Sequence, residues 1–459
     1  MKPHPIRILA IVLLSLPLVA RADSGKSLSE LARQTSGALV MVRCTFDDGT
    51  GELTMAGQGV CIRKSGVFLT TAFDARLRPP HVKKCEVIPS GTESAPLAAE
   101  VLSIDPVTGI SSVRCIEPRD WPVVKFASRS ELTVGQRVIS FGLMPDIVGN
   151  PPYLGVAYVS AKLRVPEHQV YVSGGKLTCH GSPVFTADGR AVGLVARQLS
   201  LRYEMLTSRG RISGALQGRQ ECDFFMPIEE FANVVAKPSE KRRLAWTGIL
   251  SFQPISEDIR KVVVKSNRPA VRIAAVIPDH PAAKAGLSNL DVIVQVDGKD
   301  LEGLATPELT ATNLQRELFR MPIGRKVKLT VLGAAGKRTV TLTLDPMPLQ
   351  PFEAKRYSDR KIGLIVREKV MLDEHISKAP SAPLPGLLVI RVAAKSPAEK
   401  AGLKANDLIT SVNAQPVQSV MTFREIVDKV LSESPPKAIN LSVRRGRDVE
   451  AITIRPLQS

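Results

Sequence analysis

The chain has 459 residues, 44% of them hydrophobic and 23% charged, with a formal net charge of +18. That is too long for a single core and ordinary for a multidomain globular protein. Aromatic residues make up only 4%, which argues against a nucleic-acid binder built on stacking platforms. The six histidines form no ligand-spaced pair and the six cysteines no C-x-x-C, so neither a metal centre nor another cofactor is expected.

The first predicted element is a leader. "MKPHPIR" is basic, "ILAIVLLSLPLVA" is a short apolar run, and Ala20-Arg21-Ala22 supplies small residues around a cleavage point. A bilayer-spanning helix needs roughly 20 apolar residues, so residues 1–22 read as a signal peptide and the mature chain as exported, periplasmic or secreted, with no transmembrane span. Lys2, Arg7 and Arg21 leave with it, and the mature chain keeps a charge of +15. These bases are scattered, with small clusters at 237–243 and 443–448. They describe a solvated surface, with binding to anionic envelope polymers as a competing function.

From 37 to 230, short β-rich runs alternate with turn signals: "GALVMVRCTF", "GQGVCIRKSGVFLTTAF", "KKCEVIPSG", "ISSVRCIEP", "GQRVISFGL", "YLGVAYVSAKL", "QVYVSGG" and "RAVGLVARQLS". Strands this regular predict a barrel or sandwich rather than βαβ units. "IEEFANVVAK" then has helical spacing and closes a domain expected over 23–236. A polar linker is expected over 237–245. The six cysteines all lie in the first half of the chain, and an even number in an exported domain predicts disulfides, with buried free thiols as the alternative.

Past the linker lies an internal repeat. "AVIPDHPAAKAGLSNLDVIVQVDG" (275–298) matches "RVAAKSPAEKAGLKANDLITSVNA" (391–414) without gaps. Two copies of one small module are expected, over 246–348 and 349–459. Each copy reads as a strand, a short helix at "PAxKAGL" and another strand. An amphipathic helix follows, at 307–320 and 419–434, and then a final strand pair.

The block S-P-A-x-K-A-G-L-x-x-x-D-x-I resembles the PDZ modules of bacterial Deg/HtrA serine proteases. Upstream, "GQGVCIRKSGVFLTTAF", "SIDPVTGISSVRC", "VGQRVISFGLM" and "CDFFMPIEEF" resemble, in order, segments of that family's trypsin-like domain. The resemblance covers nearly the whole mature chain. It implies a mainly β, multidomain protein, with a chymotrypsin-like double β-barrel followed by two PDZ domains built as small β-barrels with helices. It also implies a Cys179–Cys222 disulfide and an oligomer, trimeric in many members.

The resemblance departs at the chemistry. A serine protease needs a hydroxyl nucleophile, a base and an orienting carboxylate. The family's histidine position falls on Phe73, its aspartate on Gly109 and its serine on His180, and the glycine two before the serine is Thr178. The expectation is a degenerate site, with His180 and Asp105 as ordinary turn residues. The rival enzyme reading rearranges the site around Cys179 or Ser182, with Asp74 or His81 as the nearest candidates for a base.

What the family implies for the PDZ modules is capture of peptide C-termini or unfolded proteins, or mixed assembly with an active relative. A PDZ sheet edge takes the peptide as an added strand, and an x-Φ-G-Φ loop cradles its carboxylate. Those loops would be Trp246, Thr247, Gly248 and Ile249, and Lys361, Ile362, Gly363 and Leu364. Thr247 replaces an apolar residue and weakens the first loop.

Overall fold

The structure is a computed structural model. It describes residues 27–47, 51–73, 82–91, 95–196, 202–207, 210–215, 223–334, 336–376, 385–433, 437–446 and 448–456. The leader, Asp74, His81 and Cys222 lie outside these. A short helix, α1 (Leu28–Ser36), opens the described chain and is capped by the Ser27 hydroxyl, which accepts Glu30 N–H at 3.2 Å.

The mainly β expectation holds, and the "barrel or sandwich" resolves into two closed six-stranded barrels. The first comprises β1 (Leu39–Asp47), β2 (Glu52–Arg63), β3 (Val67–Thr70), β4 (Val82–Pro89), β5 (Leu97–Ile104) and β6 (Ser111–Cys115), in the order β1-β2-β3-β6-β5-β4. Strand β1 alternates buried and half-buried residues, as a strand with one face on a core must. The second barrel holds β7 (Arg137–Leu143), β8 (Pro152–Arg164), β9 (His168–Ser173), β10 (Pro183–Thr186) and β11 (Ala191–Leu194). A separate hairpin, β12 (Arg202–Thr207) with β13 (Gly210–Ala215), precedes its last strand, β14 (Phe224–Pro227). The expected closing helix is a 3₁₀ turn at Ile228–Glu230 followed by only α2 (Ala232–Ala236).

The disulfide is not the expected one. Cys44 and Cys85 face each other in the β1–β4 register and are bonded, whereas Cys179 is free and Cys222 lies outside the described residues. Cys61 and Cys115 are buried free thiols. Burial pushes the Cys61 thiol up to about 11, and the thiol donates a hydrogen bond to the Arg63 carbonyl at 3.0 Å.

The two repeats fold alike. The first has β15 (Ala245–Trp246), β16 (Ile249–Pro254), α3 (Glu257–Val263), β17 (Val271–Val276), α4 (Pro281–Lys284), β18 (Val292–Val296), β19 (Lys299–Asp300), α5 (Pro307–Arg320), β20 (Lys326–Gly333), β21 (Gly336–Thr343) and β22 (Asp345–Pro346). The second has β23 (Arg356–Asp359), β24 (Leu364–Glu368), α6 (Asp373–Ile376), β25 (Leu387–Val392), α7 (Pro397–Lys400), β26 (Leu408–Val412), β27 (Gln415–Pro416), α8 (Val420–Ser432), β28 (Ile439–Arg445) and β29 (Asp448–Ile454). The long helices are capped by Thr306 and Ser419, whose hydroxyls accept the Leu309 and Thr422 amides. The aspartate shared by the repeat has one job in both copies. Asp291 and Asp407 are buried, accept the Ser288 and Lys404 amides, and pair with Arg338 at 2.6 Å and Arg445 at 2.8 Å.

The first repeat is docked on the second barrel through a buried carboxylate. Glu230, just after β14, accepts His168 N–H at 2.9 Å and pairs with Arg316 and, at 3.0 Å, Arg320, both on α5. Its side chain is 2% exposed. Arg164, at the end of β8, reaches Glu302 at 2.9 Å across the same junction.

Candidate functional site

The three segments expected to carry catalysis leave the first barrel, or meet it, at one end. Thr70 pairs with Ser111 across β3 and β6, so the loop after β3, holding Phe73, and the turn before β6, holding Gly109, lie together. Phe73 is buried and sits edge-to-face on Phe46, with ring centroids 5.2 Å apart. Gly109 closes a tight turn with φ +73°, donating to the Asp105 carbonyl at 2.8 Å. Asp105 is a buried turn residue: Oδ2 accepts from Thr108 N–H at 2.9 Å and from its hydroxyl at 2.7 Å.

The 178–183 turn reaches the first barrel at Gln58, a residue that the sequence reading did not single out. Gln58 lies on β2 and is buried. Its amide nitrogen donates to the Phe141 carbonyl and to Ser182 Oγ, both at 3.1 Å, and its amide oxygen accepts Leu143 N–H at 2.7 Å and the Cys179 thiol at 3.1 Å. Its backbone carbonyl accepts the Thr70 hydroxyl at 2.8 Å. One side chain thus uses its donor and acceptor atoms to tie both barrels to the turn. Gly181, at φ +86°, lies so close that a Cβ there would overlap the Gln58 carbonyl oxygen. The only signal in the sequence is "GQG": a polar residue between two glycines, on a strand otherwise apolar at its centre.

This arrangement bears on the chemistry available. Ser182 is fully buried, and among the described residues its hydroxyl meets only Gln58 and, at 3.6 Å, the Cys179 sulfur. Cys179 meets Gln58, Ser182 and the Leu143 carbonyl. No described imidazole or carboxylate hydrogen-bonds to either. His180 is exposed, although the surrounding protein still partly desolvates its imidazole and lowers its pKa. Among the described residues no three of His, Cys, Asp and Glu cluster as metal ligands would.

The two x-Φ-G-Φ loops are built alike. In the first, the Thr247 carbonyl accepts Ala282 N–H at 2.7 Å and the Gly248 carbonyl accepts Ile277 N–H at 3.0 Å. In the second, the Ile362 carbonyl accepts Ala398 N–H at 3.0 Å and the Gly363 carbonyl accepts Ala393 N–H at 2.8 Å. Both glycines are left-handed, φ +82° and +72°, and a Cβ would press on His280 or overlap Ser396. Ile249, Ile362 and Leu364 are core residues, and Trp246 is buried with its ring 4.8 Å from that of His280. Thr247 departs from an apolar residue in a specific way: its hydroxyl accepts Ile249 N–H at 3.2 Å and occupies one loop amide.

Comparison with known proteins matches the same parts. The trypsin-like peptidase domain profile matches residues 57–194, and the PDZ domain profile matches 260–344 and 361–455. A Pseudomonas fulva (strain 12-X) protein named "Probable periplasmic serine endoprotease DegP-like" is 26% identical over 412 residues, covering 86% of this chain and 77% of the relative. The "Periplasmic serine endoprotease DegP" of Salmonella typhimurium is 25% identical over 358 residues, covering 76% and 66%. Among solved structures, the "HtrA-type protease AlgW with tripeptide" superposes with a TM-score of 0.52 at 16% identity, covering 71% of this chain and 99% of that one, and so shares the fold. The relatives are periplasmic by name, in keeping with the export expected from the leader. Among the described residues no helix is long and apolar enough to cross a membrane. The chain is of Deg/HtrA type in its make-up, a trypsin-like domain followed by two PDZ domains.

Proposed function

We propose that this chain is an exported pseudoprotease that binds peptides or unfolded envelope proteins by their C-termini through its PDZ loops. It would act as a holder, a scaffold or a regulator of an active relative. The observation that carries the loss of catalysis is the Gln58 network. Among the described residues the hydroxyl and thiol nearest the old nucleophile position are bonded to an amide, to each other and to backbone, with no base, and the residue expected at the histidine position, Phe73, packs its ring on Phe46. A hydroxyl or thiol without a general base or a lowered pKa is a poor nucleophile. Binding rests on the matched loops, Trp246–Ile249 and Lys361–Leu364, whose carbonyls are used inward, as a carboxylate cradle requires.

Two measurements on the mature chain test the reading. Hydrolysis of casein and of a fluorescent peptide should not exceed that of the Cys179→Ala, Ser182→Ala double variant. A clear excess would restore the enzyme reading. Capture of envelope proteins with intact C-termini should fall when Gly248→Asp and Gly363→Asp are combined. An unchanged captured set would defeat the PDZ reading.

A further inference from the structure

The two PDZ modules differ at the strand before the loop. In the first, β15 pairs with β22, as Ala245 with Pro346 and Trp246 with Asp345, and β16 is left as the sheet edge. In the second, β23 folds back on β24 in antiparallel register, with Arg356 opposite Arg367, Tyr357 opposite Val366, Ser358 opposite Ile365 and Asp359 opposite Leu364. An added peptide strand would need that same edge.

Asp359 ends this strand at the loop. Its carboxylate Oδ1 accepts Ile362 N–H at 2.9 Å, and its carbonyl accepts Gly363 N–H at 3.0 Å. These are two amides that a terminal carboxylate would use. Two residues earlier, Tyr357 points at the other groove wall, α8. Its hydroxyl donates to Asp428 Oδ1 at 2.9 Å, and its ring lies edge-on to Phe423 with centroids 5.8 Å apart. Burial, then Asp428 and Asp359, push the phenol pKa well up, so it remains a donor at any physiological pH.

We propose that Arg356–Asp359 is a built-in pseudo-ligand that occupies the second PDZ groove. It mimics a peptide C-terminus, with Asp359 in the terminal position and Tyr357 as the residue read by α8. This inference rests on the reading of the modules as binders of C-termini, and it adds two things. The second groove binds in competition with its own strand, and the ligands it fits carry a free carboxylate with a tyrosine two residues before the end. The first module, whose β16 edge carries no such strand, is open by comparison.

The test uses the full mature chain and a fluorescent peptide, EAKRYSD, that copies residues 353–359 with a free C-terminus. Three chains are compared: wild type, a released chain (Tyr357→Ala with Asp359→Ala), and a locked chain (Ser358→Cys with Ile365→Cys, oxidised). The first module is the same in all three, so differences report on the second. Reductant also opens Cys44–Cys85, so wild type is measured with and without it. The released chain should bind at least tenfold more tightly than wild type. The locked chain should bind more weakly than wild type and recover on reduction. The C-terminal amide of the peptide, and its Tyr→Ala version, should lose most of the gain. Hydrogen exchange at Ile362–Leu364 should be slow in wild type and faster in the released chain, which also shows that the variant is folded. Equal affinity in all three chains would overturn self-occupancy and leave C-terminus binding standing. Slow exchange in both wild type and released chain would make the segment a fixed part of the sheet and overturn the proposal. Fast exchange in a released chain that binds no peptide would defeat both readings for this groove.

Discussion

Glu230→Gln should loosen the first PDZ module from the second barrel. The substitution keeps an oxygen for His168 N–H but removes the negative charge that Arg316 and Arg320 face. Two charge-assisted hydrogen bonds weaken, each worth roughly 1.5–3 kcal/mol. Breaking one side of a buried ion pair costs roughly 3–5 kcal/mol, because the remaining charges stay desolvated. Arg320 is partly exposed and can turn to water, so the lower end, about 3 kcal/mol, is expected. Limited proteolysis of the linker between α2 and β15, residues 237–244, and urea unfolding would read this. Cleavage should quicken, and the transition of the first module should separate from that of the trypsin-like domain. The pH dependence has a definite sign. Burial pushes the Glu230 carboxyl up, but His168 N–H and the two guanidiniums outweigh it and hold it below the ordinary glutamate range. Its stabilisation is therefore complete above the unfolded pKa of about 4.3 and is lost as pH falls through the lower folded value. Wild type and Glu230→Gln should differ most near neutrality and converge in strong acid. Equal linker cleavage and equal unfolding midpoints at pH 7 would refute the reasoning.

Gln58→Leu should destabilise the trypsin-like domain by about 2–4 kcal/mol, since Leu143 N–H, the Phe141 carbonyl and Ser182 Oγ lose their buried partner. An unaltered denaturation midpoint would show that the network is not what joins the barrels. Replacing both Cys44 and Cys85 by Ala should cost about 4 kcal/mol by the loop-closure estimate for a 41-residue separation. The loss should appear only in the trypsin-like domain's transition and should match the effect of reductant on wild type.

The repeat shows how much of the architecture could be read locally. Strand alternation, the "PAxKAGL" turns and the helical spacing at 307–320 each follow from neighbouring residues, and helix α5 begins and ends at the expected residues. Asp291 and Asp407, shared by the two copies, were legible as repeat positions, but their arginine partners lie 47 and 38 residues away and come into range only when β20–β21 and β28–β29 fold back. Long-range pairing decided what the sequence reading got wrong or missed. Cys44 and Cys85 are neighbours because β1 and β4 share a register, a fact of barrel closure that no spacing encodes. The β12–β13 hairpin and β5 passed unnoticed among weaker patterns. Gln58 looked like a filler between glycines until the second barrel brought Phe141, Leu143 and the 178–183 turn against it. The strand that pairs with β24 is the sharpest case. "RYSD" carries no mark of a ligand, and the equivalent segment of the first repeat pairs elsewhere. By itself the sequence determined the modules, their order and the residue types at the positions where the resemblance expects catalysis, because these depend on local periodicity and side-chain chemistry. Tertiary structure alone decided which cysteines meet, which amide holds the barrels together and which groove its own chain fills, because each of these depends on which strand edges meet.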